Sequence, residues 1–144
     1  MKIGDFLKVG EFSTFSKTIS ESDVYLFTGI IGNFSPIHVN EEYMKKTRAG
    51  KRIVNAILVF SFASTASAIL QEKVVNSLPS LSAGYERVRF IKPVFFGDTI
   101  TVRYEVAEID EENMKAFCKI TITKQTDEIC AAGTHILKFY HFEE

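Results

Sequence analysis

Val54-Asn55-Ala56-Ile57-Leu58-Val59-Phe60-Ser61-Phe62-Ala63-Ser64-Thr65-Ala66-Ser67-Ala68-Ile69-Leu70-Gln71 is apolar nearly all the way round when wound at 3.6 residues per turn. It is shorter than the roughly 20 apolar residues of a membrane-spanning helix, and small hydroxyl side chains dot it, so it reads as a helix buried inside a protein. Downstream of it, helical periodicity gives way to strands. Tyr85, Val88 and Phe90 alternate with Arg87 and Arg89, and Gly97-Asp98 marks a turn. Thr99 to Ile109, Lys115 to Lys124 and Ile129 to Phe139 are three further β-rich runs, separated by Asp110-Glu111-Glu112-Asn113 and Thr126-Asp127. Upstream, Phe12 to Ile19 favours a strand. Ser20, with Asp23 three residues on, can open a helix that runs to about Ile31 and stops at Gly32. A strand, then helices, then consecutive strands predicts an α+β fold, an antiparallel sheet packed against one central helix. No repeat, low-complexity tract or Pro/Gly/Ser linker interrupts the chain, so residues 1–144 read as one domain.

Bulk properties close several functional classes. A net charge of -1, with no basic helix interleaved with aromatics, gives no footing for nucleic-acid binding. Thirteen phenylalanines and no tryptophan indicate an aromatic interior, equally suited to core or to an apolar ligand pocket. Cys118 and Cys130 sit in separate β-like runs among apolar or small residues, which reads as buried thiols in a reducing compartment; spacing alone leaves a disulfide open. His38, His135 and His141 match no metal-ligand spacing with those cysteines, so no metal site is expected. Met1-Lys2-Ile3-Gly4-Asp5-Phe6 lacks the apolar core of an export signal, and the expected location is cytoplasmic, away from the membrane.

The chemistry gathers in Gly32-Asn33-Phe34-Ser35-Pro36-Ile37-His38-Val39-Asn40-Glu41-Glu42-Tyr43. Pro36 fixes its own φ and biases Ser35 away from helix, so the segment cannot continue the preceding helix. His38 is therefore expected on a loop between two helices, the second capped by Asn40. A lone histidine there could equally cap or pack; one amide and one imidazole five residues apart suit a ligand-facing role.

Three blocks together resemble the MaoC-like branch of the hot-dog superfamily, the (R)-specific enoyl-CoA hydratases and related dehydratases. Its first block reads Gly-Asp-x-Asn-Pro-x-His-x-Asp. Here Pro36 and His38 match, while Asn33 stands at the catalytic aspartate, Ser35 at the asparagine and Asn40 at the later aspartate. The second block, His-Gly-Met-Leu at the start of a long helix, corresponds to Asn55-Ala56-Ile57-Leu58. Phe90-Ile91-Lys92-Pro93-Val94-Phe95-Phe96-Gly97-Asp98 corresponds to the strand-turn-strand signature F-x-x-P-V-x-x-G-D. The resemblance implies a sheet wrapped around the Val54–Gln71 helix, a homodimer or higher homo-oligomer with its sites at the shared interface, and an acyl-CoA or acyl-carrier thioester as substrate.

It also implies roles. His38 and Asn33 stand at the catalytic pair, Ser35, Asn55, Ala56 and Ser64 at substrate-binding positions, and coenzyme A enters only as part of the substrate, with no other cofactor. Asparagine cannot take the proton that aspartate takes, though its amide can orient water. Asn55 can donate from an amide where the family has a ring, and the Ala56 N–H can face the thioester oxygen at a helix N-terminus. Ser64 reads equally as a pocket residue or as a core serine bonded to its own helix. Arg48, Lys51 and Arg52 could meet coenzyme A phosphates or form a solvated basic loop, and Asp98 reads as a turn residue. Three functions stay open: a hydratase or dehydratase, a silent acyl-thioester-binding subunit, and an acyl-CoA thioesterase.

Overall fold

The computed structural model describes residues 1–144 and arranges them as β1 (Phe12–Thr18), α1 (Glu21–Ile31), two single-turn helices α2 (Pro36–Val39) and α3 (Glu41–Met44), the long α4 (Ala56–Gln71), and then β2 (Ser80–Phe90), β3 (Thr99–Asp110), β4 (Lys115–Lys124) and β5 (Ile129–Phe139). Helix α1 opens as its sequence demands. The Ser20 hydroxyl accepts from the Asp23 N–H at 3.1 Å while the Asp23 carboxylate accepts from the Ser20 N–H at 2.9 Å, a reciprocal cap worth roughly 1 kcal/mol. Gly32 ends it at φ 73, a left-handed conformation that glycine adopts without a Cβ penalty.

The strands form one antiparallel sheet in the order β1-β3-β4-β5-β2. Helix α4 lies against one face of it, burying Leu58, Val59, Ala63, Ala66, Ser67 and Leu70. The sheet presents Ile100, Val102, Tyr104 and Val106 of β3 and Ala131, Leu137 and Phe139 of β5 to the same core. Ala63, Ala66 and Ser67 are small enough for close approach, and Ser13 Oγ of β1 reaches across to donate to the Ala66 carbonyl. This is the hot-dog arrangement, an α+β fold in which the sheet wraps the central helix.

Two features of the frame position the site. Strand β2 is irregular, and Tyr85 pairs with His135 while Phe90 pairs with Ala131, so five steps along β2 oppose four along β5. The surplus residue is absorbed near Arg87, at φ 54. Without that bulge the strict alternation of a strand would send Tyr85 and Phe90 to opposite faces. With it, both face α4. The other feature is the flank of α4 carrying Ile57, Ser61, Ser64, Thr65, Ala68 and Ile69, which is exposed. The helix expected to be buried all round is therefore covered on one side only by its own chain. Cys118 and Cys130 are both buried and free. No helix is long and apolar enough to cross a membrane.

Candidate active site

His38 lies on α2, not on a loop. Pro36 occupies the first helical position, where its fixed φ favours a turn and its missing N–H costs nothing. The turn closes through His38 N–H to the Ser35 carbonyl and Asn40 N–H to the Pro36 carbonyl, both at 3.0 Å. Asn40 then caps α3 as expected, its side chain accepting from the Tyr43 N–H at 2.9 Å.

Ile53 fastens this turn to the start of α4. Its N–H donates to the Ile37 carbonyl at 2.9 Å, and its own carbonyl lies 2.7 Å from His38 Nδ1. A carbonyl only accepts, so Nδ1 is the protonated nitrogen of the neutral ring and Nε2 keeps its lone pair. The next residue, Val54, donates to the Val94 carbonyl at 2.8 Å, tying the same segment to the loop after β2. His38 is buried apart from its edge on a cleft of about 320 Å³, lined also by Phe27, Asn33, Asn55, Ala56 and Phe90. Ile31, Ile37 and Ile57 complete an apolar rim, and His38 is the one ionisable side chain among the lining residues.

The structure thus brings four of the sequence candidates, Asn33, His38, Asn55 and Ala56, to one cavity at the N-terminus of α4. Asn33 is exposed, with its Oδ1 accepting from the Ser35 N–H at 3.2 Å; its amide nitrogen is left to the cleft and solvent. Ser35 shapes that turn from behind and is not a lining residue. Asn55 precedes the first residue of α4 yet makes no side-chain cap. It is 3% exposed, and neither its Oδ1 nor its Nδ2 has a hydrogen-bond partner. A buried amide without partners costs about 1–3 kcal/mol, which sets Asn55 apart from the other residues of the cleft. Ala56 is the first helical residue, and its N–H has no carbonyl four residues back to bond.

The remaining candidates lie elsewhere. Ser64 is exposed on the open flank of α4 and is not back-bonded to its helix; the serine that does back-bond is Ser61, to the Leu58 carbonyl at 2.6 Å. Lys51 is exposed, its ammonium 4.4 Å from the Phe95 ring centroid, and Arg48 lies on the same connection. Arg52 is a hub: Nε bonds Glu41 at 2.7 Å, Nη1 reaches Glu21 at 3.3 Å and the Tyr25 hydroxyl, and the guanidinium lies over the Phe96 ring. Burial works against its charge, but Glu41 and Glu21 outweigh burial and raise its pKa. Asp98 is a turn residue as expected, accepting from the Phe95 N–H at 2.8 Å and pairing with Lys124 at 3.0 Å. No three His, Cys, Asp or Glu side chains gather as a metal site would require.

Sequence reasoning missed Phe27, Ile53 and Phe90. Phe27 and Phe90 look like any core aromatic in the sequence, and Ile53 acts through its backbone, which leaves no side-chain signature.

Comparison with known proteins agrees with this fold. Residues 9–129 match the MaoC like domain family. An (R)-specific enoyl-CoA hydratase of Rhodospirillum rubrum is 35% identical over 119 residues, covering 81% of this chain and 78% of that protein. A 3-hydroxybutyryl-CoA dehydratase of Methylorubrum extorquens is 34% identical over 140 residues, covering 96% and 84%. The solved structure of the (R)-hydratase from Aeromonas caviae involved in PHA biosynthesis superposes with a TM-score of 0.78 at 26% identity, covering 92% of this chain and 96% of that one.

Proposed function

The chain belongs to the MaoC-like domain family, and from that membership and the cleft around His38 we propose that it adds or removes water at the α,β position of an acyl-CoA or acyl-carrier thioester. The observation that carries the reading is the free Nε2 of His38 in the same cleft as the unpartnered Asn55 amide and the first N–H of α4.

Hydration needs a base for water, an acid for Cα and donors for the enolate-like thioester oxygen. His38 Nε2 takes a proton as the water oxygen bonds to Cβ, and the π electrons move toward the thioester oxygen. That oxygen is held by the Ala56 N–H and Asn55 Nδ2 at the positive end of α4. As the carbonyl re-forms, the proton on Nε2 passes to Cα. Dehydration runs the same steps backward. Asn33 orients the water through its amide and accepts no proton. Arg48 and Lys51, exposed cations on the connection before α4, are assigned here to the phosphates of coenzyme A, with Arg52 bracing the same connection, and coenzyme A enters only as part of the substrate. The open flank of α4 and the exposed β2 edge with Leu81, Val88 and Phe90 support a homodimer closing over this region. Two buried free thiols fit a reducing, cytoplasmic setting.

The test is purified protein with crotonyl-CoA, following loss of the enoyl chromophore and release of free thiol in parallel. Hydration that depends on His38, without thiol release, supports the proposal; thiol release without hydration replaces it with thioester hydrolysis. A second reading, a binding subunit without turnover, draws on Asn33, whose only acceptor atom is engaged by the Ser35 N–H. Acyl-CoA binding with neither reaction would establish that reading instead. Sedimentation at micromolar concentration checks the dimer, and a strictly monomeric mass would count against it.

A further inference from the structure

We propose that Arg52 is a positioning residue for His38: its guanidinium clamps the α1–α3 segment over the cleft, and the orientation of the imidazole depends on that clamp. The inference rests on the acyl-thioester reading above, and it gives Arg52 a task other than meeting the phosphates of coenzyme A.

The segment 21–44 has little apolar burial to hold it. Its buried residues are Val24 and Thr28 of α1, His38 of α2 and Met44 of α3. Helices of a single turn, such as α2 and α3, do not persist without tertiary contacts. Arg52 supplies contacts to three elements at once. Its Nε bonds Glu41 Oε2 of α3 at 2.7 Å, and Nη1 meets Glu21 Oε1 at 3.3 Å and the Tyr25 hydroxyl, both on α1. The face of the same guanidinium lies 4.5 Å from the Phe96 ring centroid, on the loop after β2. The Arg52 side chain is only 16% exposed, so these partners occupy most of what it could offer a ligand. Lysine could serve one of them at a time, whereas the planar fork serves all of them together.

The backbone carries the clamp to the imidazole. Ile53 bridges Phe95 in an antiparallel pairing, and Val54 N–H donates to the Val94 carbonyl. In that register Ile53 is the non-hydrogen-bonded partner, so its own N–H and carbonyl face away from Phe95. They meet the Ile37 carbonyl and His38 Nδ1 instead. Arg52 and Ile53 are consecutive, and they grip the same short stretch at Glu41 and at His38. Releasing the side-chain grip frees α3 from the residue next to the one that holds the ring.

The experiment compares wild type with Arg52→Met, Arg52→Lys and Glu41→Gln, using crotonyl-CoA and crotonyl-pantetheine, which lacks the nucleotide phosphates. Misplacing a reacting group by about 1 Å can cost about 10²-fold in rate, so Arg52→Met should lower kcat by about 10- to 10²-fold with both thioesters and leave KM within about twofold. Arg52→Lys should recover part of the loss, and Glu41→Gln should add little to Arg52→Met, because the two act through one contact. A rise in KM confined to crotonyl-CoA would overturn the proposal and return Arg52 to phosphate binding. Proton–nitrogen NMR of the neutral imidazole reads the positioning without turnover. Wild type should hold the ring proton on Nδ1, and Arg52→Met should move the His38 signals toward the mixed tautomers of a free ring. Unmoved His38 signals in folded Arg52→Met would overturn the proposal and leave the hydratase reading intact. Moved signals in a protein whose wild type hydrates nothing would sustain the clamp and overturn that reading alone.

Discussion

His38 Nδ1 and the Ile53 carbonyl oxygen are 2.7 Å apart, and this single bond fixes which nitrogen of the imidazole can act as base. It also ties the short α2 turn to the residue that precedes Val54 and the N-terminus of α4. His38→Ala removes the only ionisable side chain lining the cleft. Steady-state kinetics with crotonyl-CoA should show kcat reduced by about 10²–10⁴-fold with KM little changed. An unchanged kcat in a folded variant would exclude His38 as the base.

Asn33→Asp should raise hydration by about 10²-fold, the lower end of what a general acid-base group contributes. The exchange is nearly isosteric, and the carboxylate can still accept from the Ser35 N–H while its second oxygen stands where Nδ2 now faces the cleft. An equal rate in a correctly folded variant would show that position 33 does not reach the water.

Local signals made the frame legible in the sequence. The Ser20–Asp23 cap, the Gly32 stop and the alternation of β3, β4 and β5 each act over a few residues, and the structure places them as expected. What was illegible depends on non-local facts. Tyr85 and Phe90 share a face only because of the bulge near Arg87, and sequence pattern does not announce a bulge at a non-glycine residue. Arg52 reads as a free cation until α1 and α3 fold Glu21 and Glu41 against it. Ser64 reads as interior because its helix is apolar all round, yet its side of α4 is left uncovered by this chain. Asn55 was legible as a candidate, and it does line the cleft, but its lack of partners emerges only from packing.

That lack of partners sets stability against activity. Asn55→Ala removes two buried, unbonded polar atoms, so it should raise stability by about 1 kcal/mol after the loss of some packing. For a domain of this size the melting temperature should rise by roughly 2–4 °C. The same change deletes a donor proposed for the thioester oxygen, and kcat should fall by about 10²-fold. A melt and a rate measurement on one preparation check both. A lower melting temperature with full activity would reassign Asn55 to a purely structural role.

His135 should make stability depend on pH in a window well separated from the chemistry. It is buried beneath Tyr85, where desolvation disfavours the charged ring and lowers its pKa from 6.5 to about 4. Between those values the unfolded chain binds a proton that the folded chain does not, so stability rises with pH across the window. The contribution is complete above about pH 6.5 and is progressively lost as pH falls toward 4, on the order of 3 kcal/mol in all. Denaturant unfolding between pH 4 and 7 should show this slope in wild type. In His135→Gln, which has no ring to protonate, it should largely vanish, leaving only the carboxylates that titrate lower, such as Asp98, whose pKa falls despite burial through bonds from Gln125, Phe95 and Lys124. Equal slopes in the two proteins would mean that the His135 ring takes up its proton without leaving the fold, and that its surroundings are looser than its hydrogen bonds to Tyr104 and Ser82 imply.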